Sequence, residues 1–238
     1  IDQLIKEKGS SIMVSNINSV HLIEFLVDHG ADPNEPDENG IYPFERAIQF
    51  SMTKKSLISL ISGKSSSKQN YEISKETAAG YFINSNIIDF EKQIINKDGN
   101  SKFTTYLHIA AGLGKMSVID AIISRKLCSI NITNDLGETP LFEACKNKRK
   151  ECVKFLFKFD DLDFRHKNND GEDVIQFLKN RNNNNDDEIN KDKKETNLNK
   201  ESTKEDNKID LNDKDAYLKE LDLCMKSSKK ERFNLRFK

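Results

Sequence analysis

The stretch Gly137-Glu138-Thr139-Pro140-Leu141-Phe142-Glu143-Ala144 has a counterpart 34 residues earlier, Thr105-Tyr106-Leu107-His108-Ile109-Ala110-Ala111. A second counterpart, Gly171-Glu172-Asp173-Val174-Ile175-Gln176-Phe177-Leu178, begins 34 residues later. A further version, Gly40-Ile41-Tyr42-Pro43-Phe44-Glu45-Arg46-Ala47, stands upstream. This period constrains the fold more than any other feature of the chain. A unit of about 33 residues cannot bury its own apolar face, so each must stack on its neighbours.

Each part of the repeat has a physical job. Gly40, Gly137 and Gly171 suit tight turns that need positive φ. Pro43 and Pro140 fit the first helical position, whose N–H has no partner in any case. Ala47, Ala110, Ala111 and Ala144 lack bulk, so a second helix can approach closely. Helical spacing then recurs in Val20, Leu22, Ile23, Phe25, Leu26 and Val27, again in Val118, Ile119, Ile122 and Ile123, and in Cys152, Val153, Phe155, Leu156 and Phe157. Gly30 is placed to close the first of these helices, and Pro33 prevents its continuation.

These residues resemble the ankyrin repeat, whose signature includes T-P-L-H-x-A at a period near 33. Gly137-Glu138-Thr139-Pro140-Leu141 and Gly30-Ala31-Asp32-Pro33-Asn34 are close matches, and Leu107-His108-Ile109-Ala110-Ala111 keeps the histidine. The resemblance spans roughly residues 8–180. It implies an all-α solenoid of stacked helix–turn–helix units with hairpin loops, and for His108 a structural hydrogen bond. Tyr106 stands where proline is usual, and Phe142 and Glu45 where histidine is usual. Residues 71–98 read as a degenerate unit, with one helix from Ile73 to Phe82 and a second from Ile87 to Ile95. The run Gly63 to Asn70 predicts a longer flexible loop or a kink in the stack.

The domain reading is therefore a repeat domain over 1–180, with about four full units and a partial one. A disordered low-complexity segment follows over 181–214, where almost no large apolar residue occurs. Residues 215–238 hold a short helical pattern and a basic end, read either as a docking or targeting segment or as a solvated tail. The chain starts at Ile1 without an initiator Met, which points to a piece of a longer protein or an incomplete gene model.

Composition excludes several classes. Thirty-eight basic and 39 acidic residues leave a net charge of −1, with no whole-chain pull toward nucleic acid or an anionic membrane. No apolar run approaches a membrane span. Cys128, Cys145, Cys152 and Cys224 form no C-x-x-C pair and predict inert, free thiols in a reducing compartment, cytoplasmic or nuclear. Gly63-Lys64-Ser65 mimics the end of a phosphate loop, but Ile58 occupies the position of the required leading glycine. His21, His29, His108 and His166 lack ligand spacing, so no metal and no cofactor is expected. Asn131-Ile132-Thr133 is a glycosylation sequon expected to be unused.

The function expected of such a chain is a non-catalytic scaffold or adaptor that binds another protein, with neither nucleic-acid binding nor membrane insertion. The alternative is the targeting or regulatory arm of a larger enzyme whose catalytic domain lies outside this chain. The resemblance implies binding on a concave face of hairpin tips and inner helices. By position this selects Glu38, Asn39 and Ile41 on one hairpin, Asp135, Leu136 and Glu138 on a later one, and Asn169, Asp170 and Glu172 on the last. Gln49, Phe50, Leu113, Lys146 and Asn147 are expected to project from inner helices. Ile41, Leu136 and Phe50 read equally as interface anchors or as incidental surface apolarity.

Overall fold

The computed structural model describes residues 2–51, 76–95 and 102–180. Its helices are α1 (Asp2–Ser15), α2 (Val20–Asp28), α3 (Pro43–Phe50), α4 (Ala78–Ser85), α5 (Tyr106–Leu113), α6 (Met116–Ser124), α7 (Pro140–Lys146) and α8 (Lys150–Leu156). A further helical stretch covers residues 174–180. Two short strands, β1 (Ile94–Ile95) and β2 (Phe103–Thr104), pair antiparallel with Ile94 opposite Thr104. The architecture is an all-α repeat solenoid.

Local signals explain where the helices begin and end. Pro43 and Pro140 occupy the first turns of α3 and α7, as their sequence context requires. Gly114 closes α5 in the left-handed conformation, its N–H bonded to Ala111 and the next N–H to Ala110. Gly30 closes α2 in a similar way at φ +93°.

The helices stack in two rows. α1, α3, α5 and α7 pack successively against one another, while α2, α4 and α6 form a second row. Each inner helix also packs on the outer helix that follows it: α1 on α2, α3 on α4, α5 on α6, α7 on α8. The core is continuous across these pairs. Phe44 of α3 meets Phe82 of α4, Phe90 and Tyr106 edge-on, with ring centroids 5.9, 5.3 and 5.0 Å apart. Buried rings of this kind are among the largest fully buried side chains of the core.

This arrangement corrects the reading of residues 71–98. α4 is the outer partner of α3 and not the opening helix of a separate unit. Only Gly114 and Lys115 separate α5 from α6, whereas residues 51–77 separate α3 from α4. The second unit is thus split by an insertion at its inner–outer joint. A repeated bridge measures that insertion. The Asn34 side chain donates to the Ile87 carbonyl and accepts from the Asp89 N–H. Asn131 makes the same two bonds to Asp161 and Asp163. The first donor bond spans 53 residues and its equivalent 30, a difference of 23.

The helix expected from Ile87 to Ile95 is absent as well. Asn86 ends α4 in the left-handed region. The Asp89 carboxylate takes the N–H groups of Glu91 and Lys92, and Asn34 takes the Asp89 N–H and donates to the Ile87 carbonyl. The backbone groups that a helix would need are therefore already paired. Ile88, Phe90 and Ile94 still reach the core, from an irregular segment that ends in β1. The loop expected at Gly63 to Asn70 and everything beyond residue 180 lie outside the described residues.

Candidate functional site

Three hairpin turns are built on one plan. Asp37, Asn134 and Asn168 each open a turn with a side-chain oxygen that accepts two backbone N–H groups. These belong to residues 39 and 41, 136 and 138, and 170 and 172, at 2.7–3.1 Å. Gly40, Gly137 and Gly171 complete the turns at φ +71°, +70° and +75°. At Gly137 the glycine is also sterically required, because a Cβ there would lie 2.3 Å from Asn169 Oδ1.

Successive turns are stitched together. Asn169 donates its N–H to the Leu136 carbonyl and its Nδ2 to the Asp135 carbonyl, both at 2.9 Å. Lys102 donates its N–H to Asp135 Oδ2 at 2.9 Å. Below the turns, His108 joins two units. The Thr105 hydroxyl and His108 Nδ1 lie 2.8 Å apart, and Nε2 lies 2.8 Å from the Glu138 carbonyl oxygen. A carbonyl only accepts, so Nε2 carries the proton and Nδ1 accepts from the hydroxyl. Burial holds this imidazole neutral, with its pKa lowered to about 4.

The ends of the inner helices are tied by cations 34 residues apart. Lys115 Nζ donates to the carbonyls of Gln49 and Ser51 at the end of α3, each at 2.9 Å. Arg149 Nε donates to Gly112 near the end of α5 at 2.8 Å. Both satisfy terminal carbonyls and complement the negative helix end.

A model of ankyrin repeats, in three copies, matches residues 76–170 and 107–199, together more than half of the chain. The chain belongs to the ankyrin-repeat family. A search of curated proteins returns no match. Ankyrin repeats in general are protein–protein interaction modules. In this ankyrin chain the His108 bridge joins α5 to the hairpin that precedes α7.

The candidate residues divide into three groups. Glu38, Asn39, Gln49, Phe50, Leu113, Asp135, Asn147, Asn169 and Asp170 are exposed, whereas Ile41, Leu136 and Glu172 are half-buried. Glu138 and Lys146 are turned inward. Glu138 is only 2% exposed and pairs with Lys146, which also reaches Glu143 at 3.2 Å and lies over the Phe177 ring at 5.3 Å. That ion pair fastens a hairpin to its helix and to the next unit, so neither charge is presented to a partner. Glu172 similarly pairs with Asn180.

Phe50 and Leu113 are the apolar exceptions, 56% and 38% exposed. They are the last residues of α3 and α5, equivalent positions on two helices that pack together. Arg46 lies over the Phe50 ring, 5.5 Å from its centroid.

Sequence reasoning missed Asn134, Asn168, Lys115 and Arg149, and the bridging role of Asn34 and Asn131. The signal was present for several of them: Asn134 and Asn168 keep the 34-residue period, as do Lys115 and Arg149. At the sequon, Asn131 Nδ2 donates to the Asp161 carbonyl at 2.7 Å. Cys128 and Cys152 are buried, and burial pushes both thiols up to about 12. Among the described residues, no group of three or more His, Cys, Asp or Glu could hold a metal, and no helix is long and apolar enough to cross a membrane.

Proposed function

We propose that this chain is a non-catalytic adaptor that binds another protein across its hairpin tips and inner-helix ends. The observation that carries the reading is the exposed apolar pair Phe50 and Leu113 on adjacent inner helices. Large apolar side chains with a polar rim characterise interface anchors. The rim here is Glu38, Asn39, Gln49, Asp135, Asn147, Asn169 and Asp170. Glu138 and Lys146 support the fold beneath it. Ile41, Leu136 and Glu172 are half-buried and contribute at its margin.

The chemistry of the buried groups supports a binding role over a catalytic one. His108 is neutral and hydrogen-bonded at both nitrogens, and the Cys128 and Cys152 thiols are far from ionised at neutral pH. Buried free thiols also favour a reducing compartment, the cytoplasm or nucleus.

The test is the double substitution Phe50→Ser and Leu113→Ser in the full chain. Partners of the wild-type chain are captured by cross-linking in cells and then measured for affinity. Loss of an anchor costs about 1–2 kcal/mol or more, so affinity falls about tenfold while the melting curve stays nearly fixed. Undiminished binding by the folded double variant overturns the assignment of this surface.

A further inference from the structure

Four basic side chains lie around the exposed pair Phe50 and Leu113. Lys115 Nζ donates to the carbonyls of Gln49 and Ser51, the residues on either side of Phe50. Arg149 Nε donates to the carbonyl of Gly112, the residue before Leu113. Arg46 lies over the Phe50 ring. Lys148 is exposed and follows Asn147, whose side-chain nitrogen lies 3.1 Å from where a Cβ on Gly112 would stand. We infer, on the basis of the adaptor role proposed for Phe50 and Leu113, that the segment of the partner seated here is acidic: an Asp- or Glu-rich peptide whose apolar side chains meet Phe50 and Leu113.

Charge complementarity supports this occupant. Among the described residues, none of Arg46, Lys115, Lys148 and Arg149 makes an ion pair. The bonds of Lys115 and Arg149 go to neutral carbonyl groups. Burial lowers the Lys115 pKa and the charge of Arg149 lowers it further, so cations from successive units repel one another here. The carboxylates of the same helices are engaged elsewhere: Glu143 by Lys146 and Asn147, and Glu45 by the Tyr42 N–H. A partner's carboxylate brought between Lys115 and Arg149 relieves the repulsion and forms charge-assisted hydrogen bonds.

The surroundings favour a short acidic peptide over a nucleic acid or an anionic membrane. Phe50 and Leu113 offer apolar contacts, which a phosphate backbone does not use. Neighbouring helices pack about 9 Å apart, so a few residues of an extended segment reach from one to the other. The exposed acids Glu38, Asp135 and Asp170 stand on the hairpins before these helices, at their opposite ends, about 12 Å away. A short segment across the helix ends stays clear of them, whereas a long polyanion meets them.

The test selects a phage-displayed library of random short peptides on the full wild-type chain, and the enriched peptides are synthesised for affinity measurement. They should carry Asp or Glu beside Leu, Ile, Phe or Met and should bind more weakly as salt rises. Affinity should fall about tenfold or more for the variant Arg46→Glu with Lys148→Glu, and again about tenfold for Phe50→Ser with Leu113→Ser. Melting curves check that both variants are folded; Lys148→Glu alone, at an exposed position, should give a smaller loss in the same direction. Neutral or basic peptides that lose affinity to Phe50→Ser with Leu113→Ser but not to the charge variant overturn the acidic occupant and leave the adaptor surface in place. No enrichment, or peptides indifferent to Phe50→Ser with Leu113→Ser, overturns both. Displacement of the acidic peptide at equal affinity by a random-sequence DNA duplex or by phosphatidylserine vesicles overturns the proposal too, since the surface would then take any polyanion.

Discussion

His108 Nε2 donates to the Glu138 carbonyl oxygen at 2.8 Å, and that one bond holds the start of α5 under the hairpin that precedes α7. The donor is only 30 residues from its acceptor, yet the two belong to different units. The bond requires a proton on Nε2; burial keeps the ring neutral, and the neutral ring leaves Nδ1 free to accept from Thr105.

A pH dependence follows. Burial lowers the His108 pKa to about 4 in the folded chain, from the ordinary histidine value of 6.5. Between these values the unfolded chain binds more protons, so folding stability rises with pH. The contribution is fully present above about pH 6.5 and is lost as pH falls toward 4. Its size is on the order of 3 kcal/mol. Urea unfolding followed by circular dichroism at pH 7 and pH 4.5 measures it against His108→Gln, whose midpoint should change much less over that interval. Equal changes in the two proteins would show that His108 does not control the transition.

The two glycine turns separate backbone strain from crowding. Gly137 and Gly171 sit at nearly the same φ, but a Cβ at Gly137 meets Asn169 Oδ1 at 2.3 Å, whereas at Gly171 nothing lies within 4 Å. Gly171→Ala should cost about 1–2 kcal/mol, the left-handed penalty alone. Gly137→Ala should cost more, because Asn169 must also move and loosen its bonds to Asp135 and Leu136. Thermal melts of the two variants test the order, and equal shifts would contradict the crowding at Gly137.

Tyr106 predicts a stabilising substitution. Its ring is fully buried among Tyr42, Phe44 and Phe90, but its hydroxyl has no hydrogen-bond partner among the described residues. Burial raises its pKa, so the group stays protonated. A buried hydroxyl without a partner costs about 1–3 kcal/mol. Tyr106→Phe keeps the ring contacts and should raise the denaturation midpoint by up to that amount. A lower midpoint would mean that the hydroxyl is satisfied in solution.

The split second unit predicts that its insertion is dispensable for folding. Replacing residues 52–75 with a three-residue Gly-Ser-Gly joint should leave the helical circular dichroism of the remaining units intact. Shortening the connection to about six residues lowers its closure entropy cost by about 1.3 kcal/mol, so the midpoint should not fall. Collapse of the helical signal would instead mean that residues 52–75 belong to a structural unit of their own.

The sequence by itself determined the period, the turns and most helix starts. Gly40, Gly137 and Gly171 mark backbone that needs positive φ, and Pro43 and Pro140 mark helix openings. These demands are met within a few residues, so residue type alone records them. The His108 bridge was legible for a related reason, since it recurs with the family signature. Tertiary structure decided the rest. Phe82 of α4 packs on Phe44 across an insertion, so no local spacing records the pairing that joins α3 to α4. Ile87 to Ile95 has apolar residues enough for a helix, but Asn34, more than fifty residues earlier, claims its backbone. Glu138 has the right turn position for a surface contact, yet Lys146 on the adjoining helix draws its carboxylate inward. Long-range partners set these three outcomes, because a backbone group or a charge pairs with whatever the stacked units bring beside it.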